Sequence, residues 1–113
     1  MAGRPAAAWR TAIEAEGRCH ALVDRPGRTP AGVALLLTSL ATTVSLCGRH
    51  DARRIARAVG PARRAARIYR RLVDRNPHEH QDNLRSAVNT LASVLTRLGR
   101  HAEAAQAQLT IGA

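Results

Sequence analysis

Phenylalanine and lysine are both absent from this 113-residue chain, and Trp9 and Tyr69 are its only other large aromatic side chains. β-Branched and aromatic residues favour strands. Their scarcity argues against a sandwich of sheets. Two cysteines, Cys19 and Cys47, are too few for a secreted domain built on disulfides. Met1 to Trp9 has arginine and alanine but no apolar run, so no signal peptide is expected and the expected location is cytoplasmic. Acid is also scarce. Eight Asp and Glu are spread along the chain, and neither a phosphate-binding loop nor a nucleophile elbow nor an HExxH pair accompanies them. An enzyme is therefore not expected, and no cofactor is implied.

What is present is alanine and arginine. The 23 alanines, with Leu and Val, suit a core of closely approaching helices. All 18 basic residues are Arg, for a formal net charge of +10. Arginine everywhere beside so much alanine reads as the codon bias of a high-GC genome, yet a field of this sign attracts polyanions whatever its origin. The length suits one domain with a modest core.

The stretch Thr29 to Gly48 carries no charge over 20 residues, close to a membrane-spanning length. Thr38, Ser39, Thr42, Thr43 and Ser45 interrupt it. An internal repeat gives a better account. Leu22-Val23-Asp24-Arg25 returns as Leu72-Val73-Asp74-Arg75 at an offset of 50, and Gly48-Arg49-His50 returns as Gly99-Arg100-His101 at 51. Leu40-Ala41 returns as Leu91-Ala92, also at 51. Val33, Leu37, Leu40, Val44 and Cys47 are spaced 4, 3, 4, 3, as are Leu84, Val88, Leu91, Leu95 and Leu98. Each set is an apolar stripe on one helix face. The second helix carries Asp82, Arg85 and Arg97 and is amphipathic, so its twin at 31–47 is expected to be a buried helix and not a span.

Thr29-Pro30 and Asn76-Pro77-His78-Glu79 read as helix starts, each an N-cap followed by Pro, the second with the Glu of a capping box. Gly48 and Gly99 stand where a left-handed residue ends a helix. A partner helix precedes each stripe. Ala62, Ala65, Ala66, Tyr69, Leu72 and Val73 share one arc, and Ala12, Ala15, Glu16, Cys19, Leu22 and Val23 are their counterparts, with Glu16 out of place. His50 to Val59 reads as one helical stretch that Gly60-Pro61 kinks or breaks.

Val88, Leu91, Ala92, Leu95, Gly99 and Ala104 together resemble the tetratricopeptide repeat, in its longer-period bacterial and kinesin-light-chain-like form. Arg67-Ile68-Tyr69-Arg70-Arg71-Leu72 followed by Asn76-Pro77 is similar to the second helix and turn of such repeats. Leu37, Leu40, Ala41, Val44 and Gly48 match in the first copy, although Arg53 stands where a small residue belongs. The period near 50 exceeds the usual length of roughly 34. The resemblance implies an all-α fold of tandem antiparallel helix pairs, an α-solenoid fragment. Residues 1–113 would form one domain, with copies over 12–61 and 62–110 and a flexible start at residues 1–4. It also implies a protein-interaction module, a scaffold that is either regulatory or cut from a longer array, with self-association where an end is left open.

In such arrays the first helix of each pair lines a concave groove. The resemblance therefore places Thr38, Thr42 and Ser45, and Asn89, Ser93, Thr96 and Arg97, against another protein or peptide. The alternative for these residues is an ordinary solvated face. Ten arginines lie between Arg49 and Arg75, and Arg63, Arg64, Arg67, Arg70, Arg71 and Arg75 occupy the arc opposite the apolar one. That face is open to two readings, a solvated surface or a grip on phosphates, the latter making the chain a small Arg-rich nucleic-acid-binding protein. No aromatics interleave it for base stacking. Cys47 and His50 have a ligand-like spacing, but Cys47 holds the slot of Leu98 and Cys19 that of Tyr69, so both read as core residues and no metal is expected.

Overall fold

Thr29 begins the uncharged stretch as its spacing predicts. Its hydroxyl accepts from the Gly32 amide at 3.1 Å, and Pro30 sits at the first helical position, where a missing N–H costs nothing. The helix so started runs Pro30–Gly48 in a computed structural model that describes residues 3–112. In chain order the helices are α1 (Gly3–Val23), α2 (Pro30–Gly48), α3 (Ala52–Ala56), α4 (Val59–Arg75), α5 (Pro77–Arg97) and α6 (His101–Gly112). Among the described residues there is no strand. Of the start expected to be flexible over residues 1–4, Gly3 and Arg4 belong to α1, and Met1 and Ala2 lie outside the described residues.

Both apolar stripes are buried as read except at Cys47, the last position of the first, which is half-buried and lies outside the core. Leu37, Leu40, Val44, Leu84, Val88, Leu91 and Leu95 are in the core, and Val33 and Leu98 pack against it. Leu37, Val44, Val88, Val94 and Leu95 are its largest fully enclosed side chains. Burying one such side chain is worth roughly 1.5–3 kcal/mol, more than most single polar contacts. The partner arcs hold too: Ala12, Cys19 and Val23 of α1 and Ala62, Ala65 and Tyr69 of α4 are buried. The packing follows the chain, α1 on α2, α2 on α4, α4 on α5 and α5 on α6, with α2 also touching α5. The Cα trace forms a slab of 48 × 36 × 16 Å, which leaves each helix a side open to solvent.

Glu16, out of place in the sequence, has a partner that only the fold reveals. Arg57, just after α3, reaches it at 2.5 Å, and the carboxylate is largely covered. Trp9 of the same helix lies under the Arg54 guanidinium, 5.0 Å from ring centre to charge. Two contacts from the α3 region thus hold α1.

Three local expectations are corrected. The stretch from His50 is not one helix reaching Gly60-Pro61. Asp51 caps α3 through its carboxylate, and α3 ends at Ala56. The break falls at Arg57 and Ala58, while Gly60 and Pro61 lie in the first turn of α4, where proline is tolerated. Gly99 is left-handed at φ 75° as expected. Its N–H donates to Thr96 and that of Arg100 to Leu95, which closes a Schellman turn. Gly48 is not its equivalent. It ends α2 in helical geometry, and the left-handed residue is Arg49 at φ 54°. Gly48 serves close approach instead, since a β-carbon there would stand 3.1 Å from the Ile55 amide nitrogen. At Asn76 the capping box does not form. The Asn76 N–H is committed to the Leu72 carbonyl at 2.8 Å as α4 ends, so Glu79 takes the Asn76 side-chain amide instead, also at 2.8 Å.

α2 is the one helix among the described residues long and apolar enough to cross a membrane, with a mean hydropathy of 1.7. Its buried residues are Ala34, Leu37, Leu40, Ala41, Val44, Ser45 and Gly48, while Leu35 and Leu46 are exposed.

Candidate functional site

The side-by-side placement of α2 and α5 opens a cleft of about 730 Å³. Ser86, Asn89, Ser93 and Arg97 form a row on α5 at spacings of 3, 4 and 4, the geometry that keeps residues on one helix side. Thr42, Ser45 and Leu46 of α2 face them. Asp82 and Arg85 stand toward the start of α5, and Thr90 and Val94 complete the wall.

Of the residues expected to meet a partner, Thr42, Asn89, Ser93 and Arg97 come together here, with Ser45. Thr38 and Thr96 do not line the cleft. Thr38 is half-buried and its hydroxyl donates to the Ala34 carbonyl at 2.9 Å; Thr96 is exposed elsewhere. The Thr42 hydroxyl likewise donates to its own helix, to the Thr38 carbonyl at 3.0 Å, so it offers the cleft only acceptor lone pairs and a methyl group. Asn89 accepts from the Gln108 amide of α6 at 3.1 Å, which leaves its NH₂ group as the donor turned to other partners. Arg97 does not project into open space. Its guanidinium donates to the Ser45 hydroxyl and carbonyl, at 2.5 and 2.7 Å, and to the Arg49 carbonyl. Sequence reasoning missed Ser86, Arg85 and Leu46. The first two were reachable by stepping back along the α5 row from Asn89 and Ser93. Leu46 had a signal as well, being a leucine off the apolar stripe.

Of the six arginines read as one face of α4, three line a cleft. Arg63, Arg67 and Arg70 line a second cleft, of about 400 Å³, against α5 and α6. Arg64 lies on the other flank, close enough to α1 to act on the Cys19 thiol. Arg71 and Arg75, about two and three helical turns on, share that edge and do not line the cleft. The reason is rotational: at about 100° per residue Arg63, Arg67 and Arg70 lie toward one edge of a single arc, and Arg64, Arg71 and Arg75 toward its other edge. The second cleft has an apolar floor of Ala66, Leu84, Val88, Leu91, Leu95 and Ala107. Glu103 of α6 enters its wall and pairs with Arg63 at 3.1 Å and with Arg100 at 2.8 Å. The hydrogen bond from Arg100, and then those charges and Arg63, hold the Glu103 carboxyl below its ordinary range.

A third cleft, of about 310 Å³, lies between α1 and α2. Leu22, Leu36 and Leu40 make it apolar, and Glu14 and Arg18 flank it. The buried Cys19 thiol points to the Leu36 carbonyl at 3.7 Å, and burial pushes its pKa up, an effect that Arg64 partly opposes. Both cysteines are free thiols. Among the described residues no three His, Cys, Asp or Glu side chains converge as a metal site would require.

No family model, curated protein or solved structure matches the chain. The class that the described residues define is an all-helical protein with open clefts between packed helices.

Proposed function

We propose that this chain is a protein-interaction module of tetratricopeptide-like type, two antiparallel helix pairs in tandem, which holds an extended segment of a partner in the cleft between α2 and α5. The observation that carries the reading is the cleft itself. The two helices whose apolar spacing repeats lie side by side, and their small polar residues, not their apolar stripes, face the opening. Matched positions of the two copies also share their environments. Leu37 and Val88, Leu40 and Leu91, Val44 and Leu95, and Cys19 and Tyr69 are buried as pairs. The cleft offers neutral donors and acceptors along its length and charge toward its ends, which suits a main chain and its side groups more than a polyanion. On this reading α2 is a buried helix of a cytoplasmic protein and not a membrane span.

Site-specific photocrosslinking in cells tests the proposal. A photoreactive residue at Ser86 or Ser93 is expected to trap a protein partner that one placed at Arg71 does not, and Asn89→Arg is expected to abolish that adduct. Trapping of the same proteins from all three positions would overturn the assignment of the cleft. Submicromolar binding of nucleic acid with a steep salt dependence would favour instead an Arg-rich nucleic-acid-binding protein.

A further inference from the structure

We infer that the cleft between α4, α5 and α6 is a binding site for a small aliphatic carboxylate, its hydrocarbon on the apolar floor and its head group on Arg67. At about 400 Å³ the cleft falls within the range of small-molecule sites, roughly 300–1,000 Å³. Its composition is that of such sites as well, an apolar floor with a few polar groups at the rim. Ala66 and Ala107 line it and are short enough to leave the volume open, with Val88, Leu91 and Leu95 of α5 buried beneath them.

The rim decides the head group. Three of its side chains are guanidinium groups, Arg63, Arg67 and Arg70. Arg63 is taken by Glu103 at 3.1 Å, and Arg70 is engaged within the chain. Among the described residues Arg67 has no hydrogen-bond or ion-pair partner. One uncommitted guanidinium beside an apolar floor suits a monoanion held by two parallel N–H···O bonds. A dianion would meet the Glu103 carboxylate in the same wall. The Arg63–Glu103 pair also ties α4 to α6 across the cleft, which suits the space to a small molecule and not to a helix. This site is separate from the α2–α5 cleft, and neither proposal needs the other.

Calorimetric titration of the full chain with decanoate below its micelle concentration tests the site. Saturable binding of one decanoate per chain is expected, with acetate giving no heat and decyltrimethylammonium binding at least about tenfold more weakly. Arg67→Gln should weaken decanoate about tenfold, whereas Arg71→Gln, on the same helix but outside the lining of the cleft, should leave it unchanged. Ala66→Leu, which fills the floor, should remove binding. Methyl resonances of Val88 and Leu91 should shift during the titration. The assignment is overturned by an absence of saturable binding, by equal effects of Arg67→Gln and Arg71→Gln, or by loss of the helical circular dichroism as decanoate is added. Tighter binding of decyl phosphate than of decanoate would overturn the carboxylate head group.

Discussion

The Arg97 guanidinium of α5 donates to the Ser45 carbonyl of α2 at 2.7 Å, across 52 positions of sequence. Ser45 needs that donor. The residue four further on, Arg49, turns left-handed and gives its N–H to Leu46, so the Ser45 carbonyl is among those a helix end leaves unpaired. A cation there also suits the negative end of the helix dipole. Arg97→Gln is therefore expected to lower unfolding stability by about 1–2 kcal/mol, since hydrogen bonds from charged donors exceed neutral ones but this group is partly exposed. Arg97→Lys should restore only part of the loss, because an ammonium cannot span both the Ser45 and the Arg49 carbonyl. Urea unfolding of both variants checks this. Equal stability of wild type and Arg97→Gln would show that the contact contributes nothing.

Much of the fold was readable because its signals are local. The apolar spacing on α2 and α5, the Thr29 cap and the left-handed Gly99 each depend on residues within one or two turns. What escaped depends on distant partners. Gly48 and Gly99 look alike in sequence, but only at Gly48 would a β-carbon meet Arg54 and Ile55, each at 3.1 Å. Arg97 was expected at the cleft and lines it, yet its charge is spent on the end of α2. Glu16 breaks an apolar arc on paper and meets Arg57 in space. The division of the α4 arginines was available from helical rotation, but which flank would face a cleft depended on where α6 packs.

Leu91→Asp and Ser93→Asp separate the two sides of α5. Leu91 is 6% exposed, so an aspartate there places an unpaired charge in the core. The expected loss is about 3–5 kcal/mol, enough to unfold a domain of ordinary stability. Ser93 faces the cleft and is exposed. Its replacement should stay within about 0.5 kcal/mol. Thermal melts followed by circular dichroism compare the two, and equal damage would mean that the buried face is misassigned.

Glu103 makes stability depend on acid. Its folded pKa lies below its ordinary value of 4.5, so in the window beneath 4.5 the unfolded chain binds the extra proton. The contribution is present in full above that window and is lost as pH falls through the folded pKa. Glu103→Gln should therefore melt below wild type near neutrality, with the gap closing as pH is lowered past 4.5. A gap that is constant with pH would separate the loss from ionisation.

The thiols should differ in reactivity. Cys19 is buried with its pKa raised by burial, while Cys47 is half-buried. Thiolate is the reacting form. Iodoacetamide labelling read by mass spectrometry is expected to modify Cys47 first. Cys19 should follow only as α1 opens, and faster in Glu16→Gln, which removes the ion pair to Arg57. Labelling of Cys19 at the rate of an exposed thiol would mean that α1 is not held as described.

Three glycine-to-alanine changes should move stability in different directions, because the same added methyl meets three situations. At Gly17, inside α1, a β-carbon has nothing within 4 Å, so the variant gains helix propensity without contact and should be more stable by about 0.5–1 kcal/mol. At Gly99 there is also open space, but φ is 75°, a conformation that alanine adopts only with strain. Gly99→Ala should cost about 1 kcal/mol. Gly48 gains the same propensity as Gly17, yet its β-carbon would lie 3.1 Å from the Arg54 β-carbon and from the Ile55 amide nitrogen. Neither atom is the end of a flexible chain, so α3 must shift. That movement loosens the Trp9–Arg54 and Glu16–Arg57 contacts, which hold α1 from the α3 region. Gly48→Ala is thus expected to be destabilising and, unlike Gly99→Ala, to increase hydrogen exchange in α1. A stabilising Gly48→Ala would show that the approach of α3 to α2 is looser than the structure places it.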